Sequence, residues 1–256
     1  MPRRKRRAYP SGLTNGQWAV IALMIPEAAP GRRPRRAPKR EIVEAILYLL
    51  RAGCSWRLPP HDSPRGRRFT TTCAVGAAKG CGRGFITCWS WRTESTPGAK
   101  LRHPPPSSTA RPSGRRIKKG GKGYDAGKKV HGRKRHIMTD TDGRLLAVEV
   151  HAADIQDRDG AKGVLKRSRR SFPFVETVFA DGGYAGRLVE WARDHTHVSL
   201  EIVRRMPWMK GFVVLRWRWV VERTFAWIMK CRRLVRDYEQ LTRVAETLIT
   251  IAAAIT

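Results

Sequence analysis

The sequence predicts an α/β protein in which helices come first and a small sheet with flanking helices comes after them. Three observations carry that expectation. A capping signature at Thr14 opens a short amphipathic helix, two strand-like runs flank a glycine turn near Gly143, and a β-rich run from residue 175 closes on Asp181-Gly182-Gly183.

Thr14 is followed three residues later by Gln17, a pairing in which each side chain satisfies a backbone donor of the first helical turn. Trp18, Ile21, Ala22 and Ile25 then recur at helical spacing until Pro26 stops the pattern. A Pro/Arg linker over residues 30–39 leads to a second helix. Ile42, Ala45, Ile46, Leu49 and Leu50 form its apolar face, and Gly53 suits a left-handed cap. The pair reads as a helix-turn-helix-like DNA-binding module or as a helical platform that packs on the downstream domain.

From residue 63 to 116 the text changes. Glu94 is the sole acid of this stretch, and Pro104, Pro105 and Pro106 stand in a row. Neither a helical nor a strand period is present, so the stretch is expected to be a disordered basic linker. Beyond it, residues 133–139 and 145–150 predict a hairpin turned at Thr141-Asp142-Gly143. Residues 175–180 predict a strand that delivers Asp181 at its carboxyl end, where ligands gather in open α/β sheets. A helix over 187–195, a strand over 200–203, a helix over 218–234 carrying Glu222, and an apolar helical pattern over 241–251 complete the chain.

Charge narrows the partners. Lys and Arg total 52 against 21 for Asp and Glu, with net charge +31, which calls for a polyanion. No apolar run approaches the ~18–20 residues that cross a bilayer, and the basic start at residues 2–7 has no signal-type apolar stretch behind it, so a cytoplasmic, nucleoid-associated protein is expected. The cysteines at 54, 73, 81, 88 and 231 make no CxxC pair and read as idle thiols.

Asp181 beside two glycines and Glu222 on an apolar and basic helix are the oxygen donors that a divalent-metal site requires. Each has a duller reading: Asp181 as a turn cap, and Glu222 as an i, i+4 partner of Arg218. His136, His151 and Trp227 read as packing residues, and Arg232, Arg233 and Arg236 read equally as DNA contacts or a solvated face.

The wording of several segments goes further. Residues 179–186 (FADGGYAG) and 218–227 (RWVVERTFAW), with 123–129 (GYDAGKK), 132–136 (GRKRH), 153–161 (ADIQDRDGA) and 53–59 (GCSWRLP), closely resemble insertion-sequence transposases of the IS-five type. The resemblance covers residues 9–62 and 118 onward. It implies an RNase H-like catalytic core, a mixed sheet with flanking helices, preceded by a small helical N-terminal domain. The implied division is residues 1–62 for DNA binding, 63–116 as an aberrant linker and 117–256 as the core. It also implies Mg2+ (or Mn2+), double-stranded DNA as terminal inverted repeats and target, and a homodimer in the intact family. Carried over by position, Asp181 matches the second Asp and Glu222 the Glu, both as catalytic and metal-binding residues. Arg218 matches the Arg before that Glu. Lys230 stands next to Met229, which occupies the place of the family's Lys, and Leu215 replaces its Tyr. Arg218, Lys230, Arg133, Lys134 and Arg135 are the DNA-binding residues this implies.

The family's first Asp has no counterpart. Where a strand reading roughly Ile-Asp-Ser-Gln-Ser-Val is expected, residues 107–114 carry no acid. If they are encoded TCA-TCG-ACA-GCC-AGA-CCG-TCC-GGA, reading from each third base gives Ile-Asp-Ser-Gln-Thr-Val-Arg. In the same frame residues 69–76 can be read as Tyr-His-His-Leu-Arg-Arg-Trp. The hypothesis is a frameshift near residues 63–69 with a compensating one near Arg116, giving a degenerate copy with impaired catalysis and weakened metal binding. A gene whose shifted frame encodes no Asp across Ser108 and Thr109 would remove this explanation. The alternative function is a non-catalytic basic DNA-binding protein that antagonises an intact transposase. An RNA-binding protein explains the charge but not Asp181 and Glu222.

Overall fold

The computed structural model describes residues 9–23, 25, 38–60, 99–102, 121–126, 129–204 and 218–255, with the backbone alone for 99–102, Val130 and Arg218. Most of the expected linker at 30–39 and most of 63–116 lie outside the described residues.

Helix α1 (Asn15–Ala22) begins as its sequence requires. The Thr14 hydroxyl accepts from the Gln17 N–H at 3.2 Å, and Gln17 Oε1 accepts from the Thr14 N–H at 3.0 Å. Helix α2 (Lys39–Ala52) buries Ile42, Ala45, Ile46, Leu47, Leu49 and Leu50 and ends on Gly53 at φ +71°. That conformation favours glycine, and a Cβ there would also stand 2.9 Å from the Arg232 Cβ. The helical N-terminal part has no core to itself. Leu13, Ile21 and the α2 face pack in one cluster with residues of the hairpin and of both C-terminal helices.

The sheet has six strands. They are β1 (Ala99–Arg102), β2 (Gly123–Asp125), β3 (Val130–Thr139), β4 (Leu145–Ala152), β5 (Thr177–Ala180) and β6 (Ser199–Ile202). Strand β3 pairs antiparallel with β1, β2 and β4, whereas β1–β5 and β5–β6 are parallel. The β3–β4 hairpin turns at Gly143, φ +89°, and Asp140 Oδ1 accepts from the Asp142 and Arg144 N–H groups at 3.0 and 2.7 Å. Two strands were not expected. One is β2, three residues long. The other is β1, so residues 99–102 of the supposed linker are ordered sheet in the middle of the core.

Helices cover both faces. On one, α1, α2, α5 (Arg218–Met229) and α6 (Thr242–Ile255) pack against Ile137, Val148 and Val150. On the other, α3 (Asp157–Ser171) and α4 (Arg187–Thr196) pack against Met138, Ala147, Val178 and Ala180. Helix α3 was not anticipated. It carries Asp157 and Asp159 in its first turn and Arg169 and Arg170 in its last, which complements the helix dipole. Gly160 and Gly163 let it approach β4: a Cβ on either would collide with His151 or with the Glu149 carboxylate. The helix expected over 218–234 stops at Met229 and resumes as a 3-10 turn, Arg232–Leu234.

Candidate active site

Alternation along β5 turns Val178 and Ala180 toward α3 and α4, where both are buried. It therefore puts positions 179 and 181 on the face that α5 covers. Asp181 follows the last strand residue in an extended conformation, and its Oδ1 accepts from the Gly183 N–H at 2.9 Å. It caps the 3-10 turn Gly182–Tyr184, so the dull reading of this residue is correct as far as it goes. Tyr184 anchors that turn. It is wholly buried, and its Oη lies 2.8 Å from Nδ1 of His136. The His136 ring stacks on His151 at 4.6 Å, 19° from parallel.

A second carboxylate borders the same turn. A Cβ placed on Gly183 would stand 3.1 Å from Asp181 Oδ1 and 3.7 Å from Asp157 Oδ2, so the two acids flank one glycine. The other oxygen of Asp157 lies 2.9 Å from the Lys134 ammonium, which also reaches Asp125 Oδ2 at 3.4 Å and donates to the Ile155 carbonyl at 2.8 Å. Lys134 is 6% exposed, so this charge is held by partners rather than by water.

Glu222 stands at an exposed position on α5. The buried side of that helix, Val221, Phe225 and Ile228, packs into the core. Its start is fastened to the hairpin turn: the Thr224 hydroxyl donates to the Gly143 carbonyl and Arg223 Nη2 to the Asp142 carbonyl, both at 2.7 Å. The Arg223 guanidinium also lies 4.3 Å from the Trp219 ring centroid and 4.7 Å from that of Trp227. Helix α5 packs on β1 and β3, and β1 in turn pairs with β5, the strand that ends at Asp181.

The position beside Asp181 is the informative one. Leu101 of β1 pairs with Ala180 and Arg102 with Ile137, so the register places residue 102 next to residue 181. The strand reads Ala99-Lys100-Leu101-Arg102 and has no acid. Hard divalent cations take several oxygen ligands. Among the described residues no group of three or more His, Cys, Asp or Glu could hold a metal ion. Among the described residues, therefore, the donors do not fit a two-metal centre.

Three residues expected at the DNA surface are internal. Arg133 is 5% exposed; it donates to the Glu239 and Gln240 carbonyls at 2.8 and 2.7 Å and pairs with Asp237 at 3.1 Å. Lys134 bridges Asp157 and Asp125 as described. Arg135 is half-buried, donates to the Leu234 carbonyl at 2.6 Å, and is pushed below its usual range chiefly by burial. The cause is distant in sequence: carbonyls and acids of residues 234–240 come back onto β3. Lys230 is exposed, and Arg218 opens α5.

Sequence reasoning named Asp157, with Asp125 and Asp154, as an acid able to replace the missing one although each matches another family position; it missed Lys134 as a neighbour of the Asp181 turn and gave Glu239 no role. Glu239 accepts from Trp56 Nε1 at 2.9 Å and from Arg233 at 2.8 and 3.0 Å, tying the end of α2 to the C-terminal segment. An acid within the basic stretch 232–243 was the available signal.

Comparison with known proteins agrees with this fold. Residues 90–256 match the transposase DDE domain, and residues 13–81 match a model of IS4/5-family transposases. A relative from Burkholderia cepacia, named as the transposase for insertion sequence element IS402, is 31% identical over 116 residues. That alignment spans 43% of this chain and 54%, about half, of the relative's length. DDE domains have an RNase H-like fold, and the mixed sheet with helices on both faces and helices before it is that architecture. As a class they act on DNA and use a divalent metal. The chain belongs to the DDE transposases of the IS4/IS5 insertion-sequence group.

Proposed function

We propose that this chain is a transposase copy that binds the terminal inverted repeats of an insertion sequence as duplex DNA but has lost strand cleavage and transfer. The observation that carries the reading is β1. It lies beside the strand that delivers Asp181, and it brings arginine, not an acid, to the neighbouring register position. In the intact enzyme Mg2+ ions would activate the attacking oxygen and stabilise the leaving one. Here Asp181 and Glu222 are the retained catalytic and metal-binding acids, and two carboxylates do not hold two ions. Losing a metal-site ligand of this kind costs several kcal/mol of transition-state stabilisation, a rate loss of orders of magnitude.

Binding survives that loss because it rests on charge. With net charge +31, phosphate contacts dominate and affinity falls steeply with salt. Residues 1–62 supply the repeat-reading helices, Arg218 and Lys230 contact DNA near Glu222, and two copies hold two ends together as a homodimer. Such a protein competes with an intact transposase for its repeats. No helix among the described residues is long and apolar enough to cross a membrane.

Titration of a labelled terminal-repeat duplex with the purified chain, at several salt concentrations and with or without Mg2+, tests the reading. The expected result is a steep salt dependence and an affinity that Mg2+ does not enhance. Affinity that barely responds to salt would exclude a phosphate-dominated interface.

A further inference from the structure

The outer face of α3 and α4 carries a charge pattern that neither the fold nor the acids around Asp181 explains. Arg158, Lys162, Lys166 and Arg170 recur at every fourth residue of α3, which stacks them on one stripe. Arg158, Lys166 and Arg170 are exposed and Lys162 is half-buried. Like charges at that spacing repel and weaken a helix, so stability is no reason for the stripe.

Helix α4 extends it. Arg187, Trp191 and His195 also recur at every fourth residue. The Lys162 and Lys166 ammonium groups lie 5.8 and 5.4 Å from the Trp191 ring centroid, and His195 stacks on the same ring at 4.9 Å. At the other end, a Cβ on Gly186 would stand 3.3 Å from Arg158 Nη1. The stripe therefore starts at the loop after Asp181 and runs away from it along both helices.

The acids nearby do not neutralise it. Asp159 pairs with Lys162 at 2.7 Å on the surface, Gln156 accepts from Arg158 at 3.3 Å, and Glu190 and Asp194 are exposed on α4. Exposed pairs of this kind are weak and screened, so a polyanion displaces them. Successive cations on α3 advance by about 6 Å along the helix axis, a spacing suited to consecutive phosphates of one strand.

We infer that the α3–α4 face is a phosphate-binding surface for duplex DNA, carrying the backbone away from the Asp181 edge. The inference rests on the DNA-binding reading above and assigns part of that binding to a surface outside the N-terminal helices and outside α5.

The test compares two charge-matched variants of the full chain, R158Q/K162Q/K166Q/R170Q and K122Q/K129Q/R204Q/R243Q, the latter all exposed and off this face, on a labelled duplex. Each neutralised phosphate contributes roughly 0.9 to the slope of log affinity against log salt. The stripe variant should therefore lose about 3 from that slope and at least tenfold in affinity near 0.1 M salt, while the control keeps its slope within about 1. In the unaltered chain, bound duplex should also protect Lys162 and Lys166 from amine acylation read by mass spectrometry, an observation independent of variant folding. Equal losses in the two variants, or unprotected lysines in a chain that binds DNA, would overturn the assignment. Tighter binding of a double-stranded RNA of equal length would overturn it as well. A chain that does not bind duplex at all would instead bring down the DNA-binding reading on which it rests.

Discussion

Strands β1 and β5 lie side by side and parallel, yet they are held in different ways. Strand β5 ends in a fixed device: Asp181 caps its turn, Tyr184 plugs into the core below, His136 bonds the phenol, and Asp157 borders the same glycine. Strand β1 joins the sheet through backbone pairing with β3 and β5, and its four residues, Ala99-Lys100-Leu101-Arg102, include no acid. An RNase H-like sheet can thus accept a strand on backbone hydrogen bonds, which any non-proline sequence supplies, whereas a metal site needs particular side chains. Fold and chemistry part company at this boundary.

The largest effect expected from changing that contrast is on metal affinity. Arg102→Asp places a carboxylate beside Asp181 and removes a like charge from the cation, so Mn2+ affinity, read by electron paramagnetic resonance, should rise at least tenfold, about 1.4 kcal/mol or more. Arg102→Asn should give much less. A result in which both variants bind Mn2+ as the unaltered chain does would mean that residue 102 does not face the Asp181 edge.

Stability changes probe the frame that carries the sheet. Glu239→Ala strips the buried Arg233 guanidinium of its carboxylate and Trp56 of its acceptor, and should cost about 3–5 kcal/mol in urea unfolding. A loss below about 1 kcal/mol would place this cluster among ordinary surface pairs. Tyr184→Phe removes the buried hydrogen bond to His136 at the foot of the Asp181 turn and should cost about 1 kcal/mol.

The smallest effect is on pH dependence. Burial, more than any other influence, pushes the His151 imidazole below its usual range, helped by Lys134 and opposed by its backbone bond at Ala152 and by Asp157 and Asp154. The folded chain therefore prefers the neutral ring. This contribution is fully present above the unfolded value of about 6.5 and is lost as pH falls toward the lower folded value. The thermal midpoint should drop between pH 7.5 and 5.5, and His151→Gln should shrink that drop; an unchanged drop would assign it to other groups.

How much of this was legible in the sequence depended on the range of the cause. The Thr14 cap, the α2 stripe with Gly53, the hairpin at Gly143 and the strand ending on Asp181 are local patterns, and each was read close to where it lies. Helix α3 was missed although Ala161, Val164, Leu165 and Ser168 keep helical spacing, because Gly160 and Gly163 break the propensity. Their reason is the approach of His151 and Glu149 from β4. Arg133, Lys134 and Arg135 looked like a surface run for the same kind of reason, since Asp237 and the carbonyls of Glu239, Gln240 and Leu234 lie about a hundred residues further on. Strand β1 carries no pattern to read, being placed by its neighbours' backbones. Of the site, Asp181, Glu222 and Asp157 were visible as acids in a basic chain, whereas the part played by Tyr184 became visible only when the turn was built.

The central claim is that strand β1 brings no acid to the register position beside Asp181. Incubation of the purified chain with an end-labelled terminal repeat and Mg2+ addresses it directly. The account predicts cleavage indistinguishable from that of Asp181→Ala; robust cleavage that Asp181→Ala abolishes would contradict it.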